Sequence, residues 1–194
     1  MKKILLFVIC AFFASLVNAQ TVKERLTKSE EHMKNLKTLV DNYPNKDCGI
    51  ETVDGVGQNV YNAALAAVSS SAQLDSLYYR QIGQTKDGVT DVTIKKPSME
   101  EWMNLLSTAT AEVTSLKQVA DNINGAGDEA KNIAEQAKNT KNPLKAGKMV
   151  KMAKAAIVIM EFANKATPIL TEETANQVSA INTIIETLKS GKNL

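Results

Sequence analysis

Residues 98–123 read SMEEWMNLLSTATAEVTSLKQVADNI. Within them Trp102, Leu106, Ala109, Val113, Leu116, Ala120 and Ile123 follow at alternating steps of four and three. That spacing draws one apolar seam along an α-helix and does not match the alternation of a strand. A heptad-like seam favours helices packed at a shallow angle. Ser98 with Glu101 forms a capping-box pair just after Pro97, which sets the start at Met99. The seam predicts that Trp102, Leu106, Val113 and Leu116 are buried against Ile157, Met160, Val178 or Ile185.

Downstream, the phase persists through Leu116, Ile123, Ala130 and Ala137. A helix reaching Lys138 would nevertheless be roughly 60 Å long and outrun its predicted partners. Gly125 and Gly127 would each cost about 1 kcal/mol in its interior. A break is therefore expected there, with Asp128 capping a weak helix to Lys138. Asn142-Pro143 supplies an N-cap and a first helical residue for the next helix, to about Lys165. Its stretch Met149 to Phe162 is apolar nearly all round, which predicts burial on every side. Its longest uncharged piece, Ala155 to Met160, is far too short to span a bilayer. Thr167-Pro168 reads as the end of that helix, because proline lacks a backbone donor. Glu172 and Glu173 then suit the first turn of a last helix, with Val178, Ile181, Ile185 and Leu188 as its stripe and Gly191 as its stop.

Upstream, Val22, Leu26, Met33, Leu36 and Val40 make a stripe from Thr21 to Asn42, with Ser29 filling the missing step; Pro44 ends it. Residues 44–55 read as a loop. The next helix spans about 56–82, with Val60, Ala63, Ala67, Ser71, Leu74 and Tyr78 in line. Its small face at Ala63, Ala67 and Ser71 allows a neighbour close, and its many amides and hydroxyls argue against a membrane span. Residues 83–97 form a second loop, and short extended pieces fit 50–53 and 90–94. The fold class is all-α: an elongated up-and-down bundle of four to six helices, with 20–194 as one domain.

The first residues add a compartment. Lys2 and Lys3 precede an apolar run from Ile4 to Val17, and Val17-Asn18-Ala19 offers small side chains before Gln20. This is a cleavable secretory leader, 1–19, and it resembles a bacterial one in its brevity and paired lysines. Ile9 before Cys10 does not suit lipid attachment. The reading is export to the periplasm or beyond. Lysine and arginine total 23, aspartate and glutamate 21; cleavage removes two lysines and leaves the charges balanced. Nucleic-acid binding needs a clear positive excess and is not expected.

Chemistry-bearing motifs are scarce. Cys48 is the one thiol left after cleavage and reads as unpaired. His32, the single histidine, falls off the first stripe beside Glu30 and Glu31 and reads as an exposed helix-surface residue. Asp87 and Asp91 lack the spacing of a calcium loop. Gly55-Val56-Gly57 and Gly125-Ala126-Gly127 lack the preceding strand of a phosphate-binding turn. No catalytic residue, cofactor or metal is expected. One charge pattern stands out: from Gln136 to Met160 there are six lysines, Lys138, Lys141, Lys145, Lys148, Lys151 and Lys154, and no acid. It reads either as a solvated face balanced by carboxylates such as Glu172 and Glu173, or as a patch for an anionic partner: phospholipid, lipopolysaccharide or an acidic protein. The expected function is non-enzymatic, a protein-interaction or structural role with an unidentified partner. The alternative is a lipid-binding bundle using 149–162 and 138–154.

Overall fold

Each helix of this protein begins where a backbone donor finds a partner. The computed structural model describes residues 21–44, 46–85 and 95–194. They form α1 (Val22–Asp41), α2 (Glu51–Ile82), α3 (Met99–Asn139) and α4 (Pro143–Lys189), and no strand among the described residues. Capping boxes at Thr21–Glu24 and Ser98–Glu101 start α1 and α3. Asn142 caps α4, accepting from the backbone N–H groups of Leu144 and Lys145. At α2 the capping position is Ile50, which has no side-chain oxygen to offer. There Asp54 reaches back instead and accepts from the N–H groups of Cys48 and Gly49. The helix therefore starts at Glu51, earlier than expected, so of the piece 50–53 Ile50 alone is extended and the rest is helical. The other extended piece, 90–94, lies outside the described residues.

The chain runs up and down. Leu26, Leu74, Trp102 and Ile184 meet in one apolar cluster, and Leu36, Val53, Leu116 and Ile159 in another. Two expected interruptions do not occur. Helix α3 continues through Gly125 and Gly127, and α4 continues through Pro168. The two facts have one cause. Because α4 does not stop, it is 47 residues long, about 70 Å, and gives α3 a partner along its whole length. Pro168 is tolerated because it faces solvent, as does Asn164, whose carbonyl loses its donor.

Helix α4 touches each of the other three. Met149, Ala156, Ala163, Leu170, Gln177 and Ile184 are all buried and seven apart; Ile159, Ala166, Glu173 and Ala180 make a second such row. On α3 the expected row holds at Trp102, Ala109, Leu116, Ala130 and Ala137. Leu106 and Val113 are only half-buried, and Leu105 and Val119 take the deeper places. The face of α3 is shared between α2 and α4, so it is broader than a single seam. The expectation that 149–162 is buried on all sides is also corrected: Val150, Ile157 and Val158 point outward and are exposed.

Gly57 is a fixed point of this packing. A Cβ there would overlap Ile159 Cγ2 and lie 2.7 Å from the Tyr43 hydroxyl. The residue lies inside α2, where glycine allows α4 to approach.

Candidate functional site

Two polar features emerge from this packing. One is internal. A belt of polar side chains crosses the bundle between the two apolar clusters. Its centre is Glu173, fully buried on α4. Its Oε1 accepts from the Ser29 hydroxyl and from Gln177 Nε2 at 2.7 Å, and its Oε2 from His32 Nδ1 at 2.8 Å. Ser71 hydrogen-bonds Ser29 at 3.0 Å, and Gln177 Nε2 also reaches the Ala67 carbonyl. Asn176 donates to the Arg25 carbonyl, and Ser70 donates to Glu112 of α3 at 2.6 Å. Burial, together with the nearby Glu173 charge, pushes the Glu112 carboxyl up despite the Ser70 hydrogen bond.

His32 is thus buried, which corrects its reading as a surface residue. Glu173, expected in the first turn of a last helix, lies inside the continuous α4 and is the hub of the belt. The combination of Ser29, His32 and Glu173 invites comparison with a hydrolytic triad. The geometry differs: Ser29 donates to the carboxylate and not to imidazole, and His32 Nε2 faces Glu172 Oε2 at 3.6 Å. A nucleophile needs its hydroxyl on the base. The belt ties helices together and lacks the serine–imidazole contact of such a triad.

The other feature is external. The α1–α2 link and the first turn of α2 abut the α3–α4 hairpin about ten residues short of its apex. Thr52 donates to Glu129, and Met152 Cε lies 3.7 Å from where a Cβ on Gly49 would stand. Beyond Glu129 and Met152, α3 and α4 each run about ten residues further, roughly 15 Å. In this extension Ala130 and Ala137 of α3 and Met149 of α4 are buried. Here α3 outruns α1 and α2, and among the described helices α4 alone accompanies it.

The extension carries most of the lysine pattern, with Lys154 just behind it. Lys138, Lys141, Lys145, Lys148, Lys151 and Lys154 are all exposed. None of their ammonium groups forms an ion pair or hydrogen bond among the described residues. The carboxylates expected to balance them are engaged elsewhere: Glu172 with Lys28 at 3.5 Å and with His32, Glu173 in the belt. Lys145 and Lys148 also sit in the first turns of α4, where the helix dipole disfavours cations and no acid compensates. At the apex Leu144 is 86 % exposed. The sequence identified the lysines; it gave no weight to Leu144, which follows the cap and belongs to no stripe.

Cys48 is a buried free thiol, held up to about 11 by desolvation and by its contact with Asp54. Thiolate chemistry at neutral pH is disfavoured there. Asp87 and Asp91 lie outside the described residues, and among the described residues no group of three or more His, Cys, Asp or Glu is arranged to hold a metal. No described helix is long and apolar enough to cross a membrane. Comparison with known protein families, with curated proteins and with solved structures finds no match to this chain.

Proposed function

We propose that this chain is an exported, non-enzymatic interaction protein that engages an anionic partner through the tip of its α3–α4 hairpin. The observation that carries the reading is the set of lysines from Lys138 to Lys151, exposed and without carboxylate partners, on a projection that only two helices support. Uncompensated like charge destabilises a helix start, and a bundle needs no such projection to bury its core. Both features gain a purpose if the tip meets negative charge. Export rests on the leader at 1–19, outside the described residues.

The test is retention on an immobilised polyanion. Protein beginning at Gln20 should bind poly-glutamate resin and elute with moderate salt. A variant with Lys141→Gln, Lys145→Gln and Lys148→Gln should elute earlier while melting at the same temperature, since exposed lysines contribute little to folding. Equal retention of the two proteins would retire the reading. Export is checked separately: intact mass of the protein from its native envelope should correspond to a start at Gln20.

A further inference from the structure

The apex of the hairpin has a property that charge alone does not require. Its most exposed large apolar side chain is Leu144, placed between Lys141 and Lys145. The first donors of α4 beside it are already satisfied. Pro143 has no N–H; Leu144 and Lys145 donate to the Asn142 side chain, and Ala146 to the Asn142 carbonyl at 2.9 Å. On the α3 side, Thr140 donates to the Gln136 carbonyl at 3.1 Å. With its own N–H on the Asn142 side chain, Leu144 can meet an apolar boundary without stranding that donor. Lysine stems can lie along the apolar boundary while their ammonium groups stay among headgroups.

We infer that the partner is an anionic lipid surface, into which Leu144 inserts while Lys138, Lys141, Lys145 and Lys148 meet the headgroups. The inference rests on the tip being the contact surface, as proposed above. A folded acidic protein fits less well. Two helix ends, each about 10 Å across, present an end face of roughly 200 Å², against about 800 Å² per partner in a stable protein interface. A fluid headgroup layer closes around a narrow apex and meets every ammonium. Such an apex matches interfacial binding, in which apolar burial and attraction to anionic lipid act together.

The experiment uses protein beginning at Gln20, with vesicles of phosphatidylcholine alone or mixed with phosphatidylglycerol, and poly-glutamate as a lipid-free polyanion. Wild type should co-float with the mixed vesicles and not with phosphatidylcholine alone. The triple lysine-to-glutamine variant should bind mixed vesicles roughly tenfold to a hundredfold more weakly. Leu144→Gln should lose about tenfold on vesicles and nothing on poly-glutamate. Leu144→Trp should show a blue-shifted emission on the mixed vesicles, against the constant background of buried Trp102. If Leu144→Gln changes neither interaction, or vesicles are refused while poly-glutamate is bound, the lipid inference is overturned and the anionic-contact reading stands. If wild type binds neither probe in low salt, or the triple variant binds both as well as wild type, both fail.

Discussion

His32 Nδ1 on α1 lies 2.8 Å from Glu173 Oε2 on α4, across 141 residues of sequence. The contact sits between two apolar clusters and not inside either. Buried polar groups cost stability unless satisfied, and in helical assemblies their best-attested use is to fix register. A slide of α4 by one turn would carry Glu173 away from Ser29 and His32 on α1 and leave those two donors without their acceptor.

Removing the hub should therefore cost more than removing any one donor. Glu173→Ala should destabilise by about 3–5 kcal/mol, and Ser29→Ala by about 1–2 kcal/mol. A double-mutant cycle of His32→Ala with Glu173→Ala should give a coupling of about 0.5–3 kcal/mol in urea melts. Strict additivity would mean that the contact does not link the helices energetically.

Two glycines should respond with opposite signs. Gly57→Ala meets Ile159 and Tyr43 and should cost about 1–3 kcal/mol by overpacking. At Gly125 an added Cβ meets nothing within 4 Å, so Gly125→Ala should gain about 0.5–1 kcal/mol from helix propensity. Thermal melts of the two variants on either side of wild type are the expected result.

Two leucines separate the core from the tip in the same way. Leu116 is 4 % exposed, and Leu116→Ala should destabilise by roughly 2–5 kcal/mol. Leu144→Ala should change stability by less than about 0.5 kcal/mol. A large loss at Leu144 would place it in a contact that the fold does not contain.

Glu112 gives stability a pH dependence of known sign. Its carboxyl is raised, first by burial and then by the Glu173 charge, so the folded state holds this proton more tightly than the unfolded state. Its contribution falls as pH rises from the ordinary carboxylate range through the raised folded value. Glu112→Gln keeps an acceptor for Ser70 and has no charge to bury. The variant should show a flatter loss of stability across that window in melts taken at successive pH values. An unchanged slope would remove Glu112 as the cause.

Cys48 should resist alkylation in the folded protein. Its thiol is buried and held up to about 11, so iodoacetamide at mildly alkaline pH should label it slowly in buffer and rapidly in denaturant. Equal rates would indicate an open α1–α2 link.

The helical period made much of this fold legible. It placed Ser29 and Ser71 on the inward stripes of α1 and α2, and those hydroxyls do meet inside the bundle. What it could not supply was their common partner. Pro168 reads as a helix end, and a break there turns Glu173 into a surface residue of a new first turn. Had the seven-residue phase of Ala156, Ala163 and Leu170 been carried past the proline, Gln177 would have fallen on the buried row. Whether a proline breaks a helix depends on whether its face meets water or a neighbour, and that is a tertiary fact. His32 was hidden for the same reason: it lies off its own stripe, and only α4 beside it makes the position internal. The lysine pattern was visible outright, but its lack of counter-ions was not, because that depends on where Glu172 and Glu173 are spent.

The heptad rows make the hairpin a ruler. Beyond the α1–α2 link α3 and α4 are the helices that contribute, and their buried rows are spaced by seven: Ala130 and Ala137 on α3, Met149 leading back to Ala156 on α4. Deleting seven residues from each arm would shorten the reach by about 10 Å and, since seven residues are nearly two turns, return the apex in almost the same rotation. The length of the projection and the chemistry of its end are therefore separable quantities, and the distance from bundle to contact comes in whole heptads.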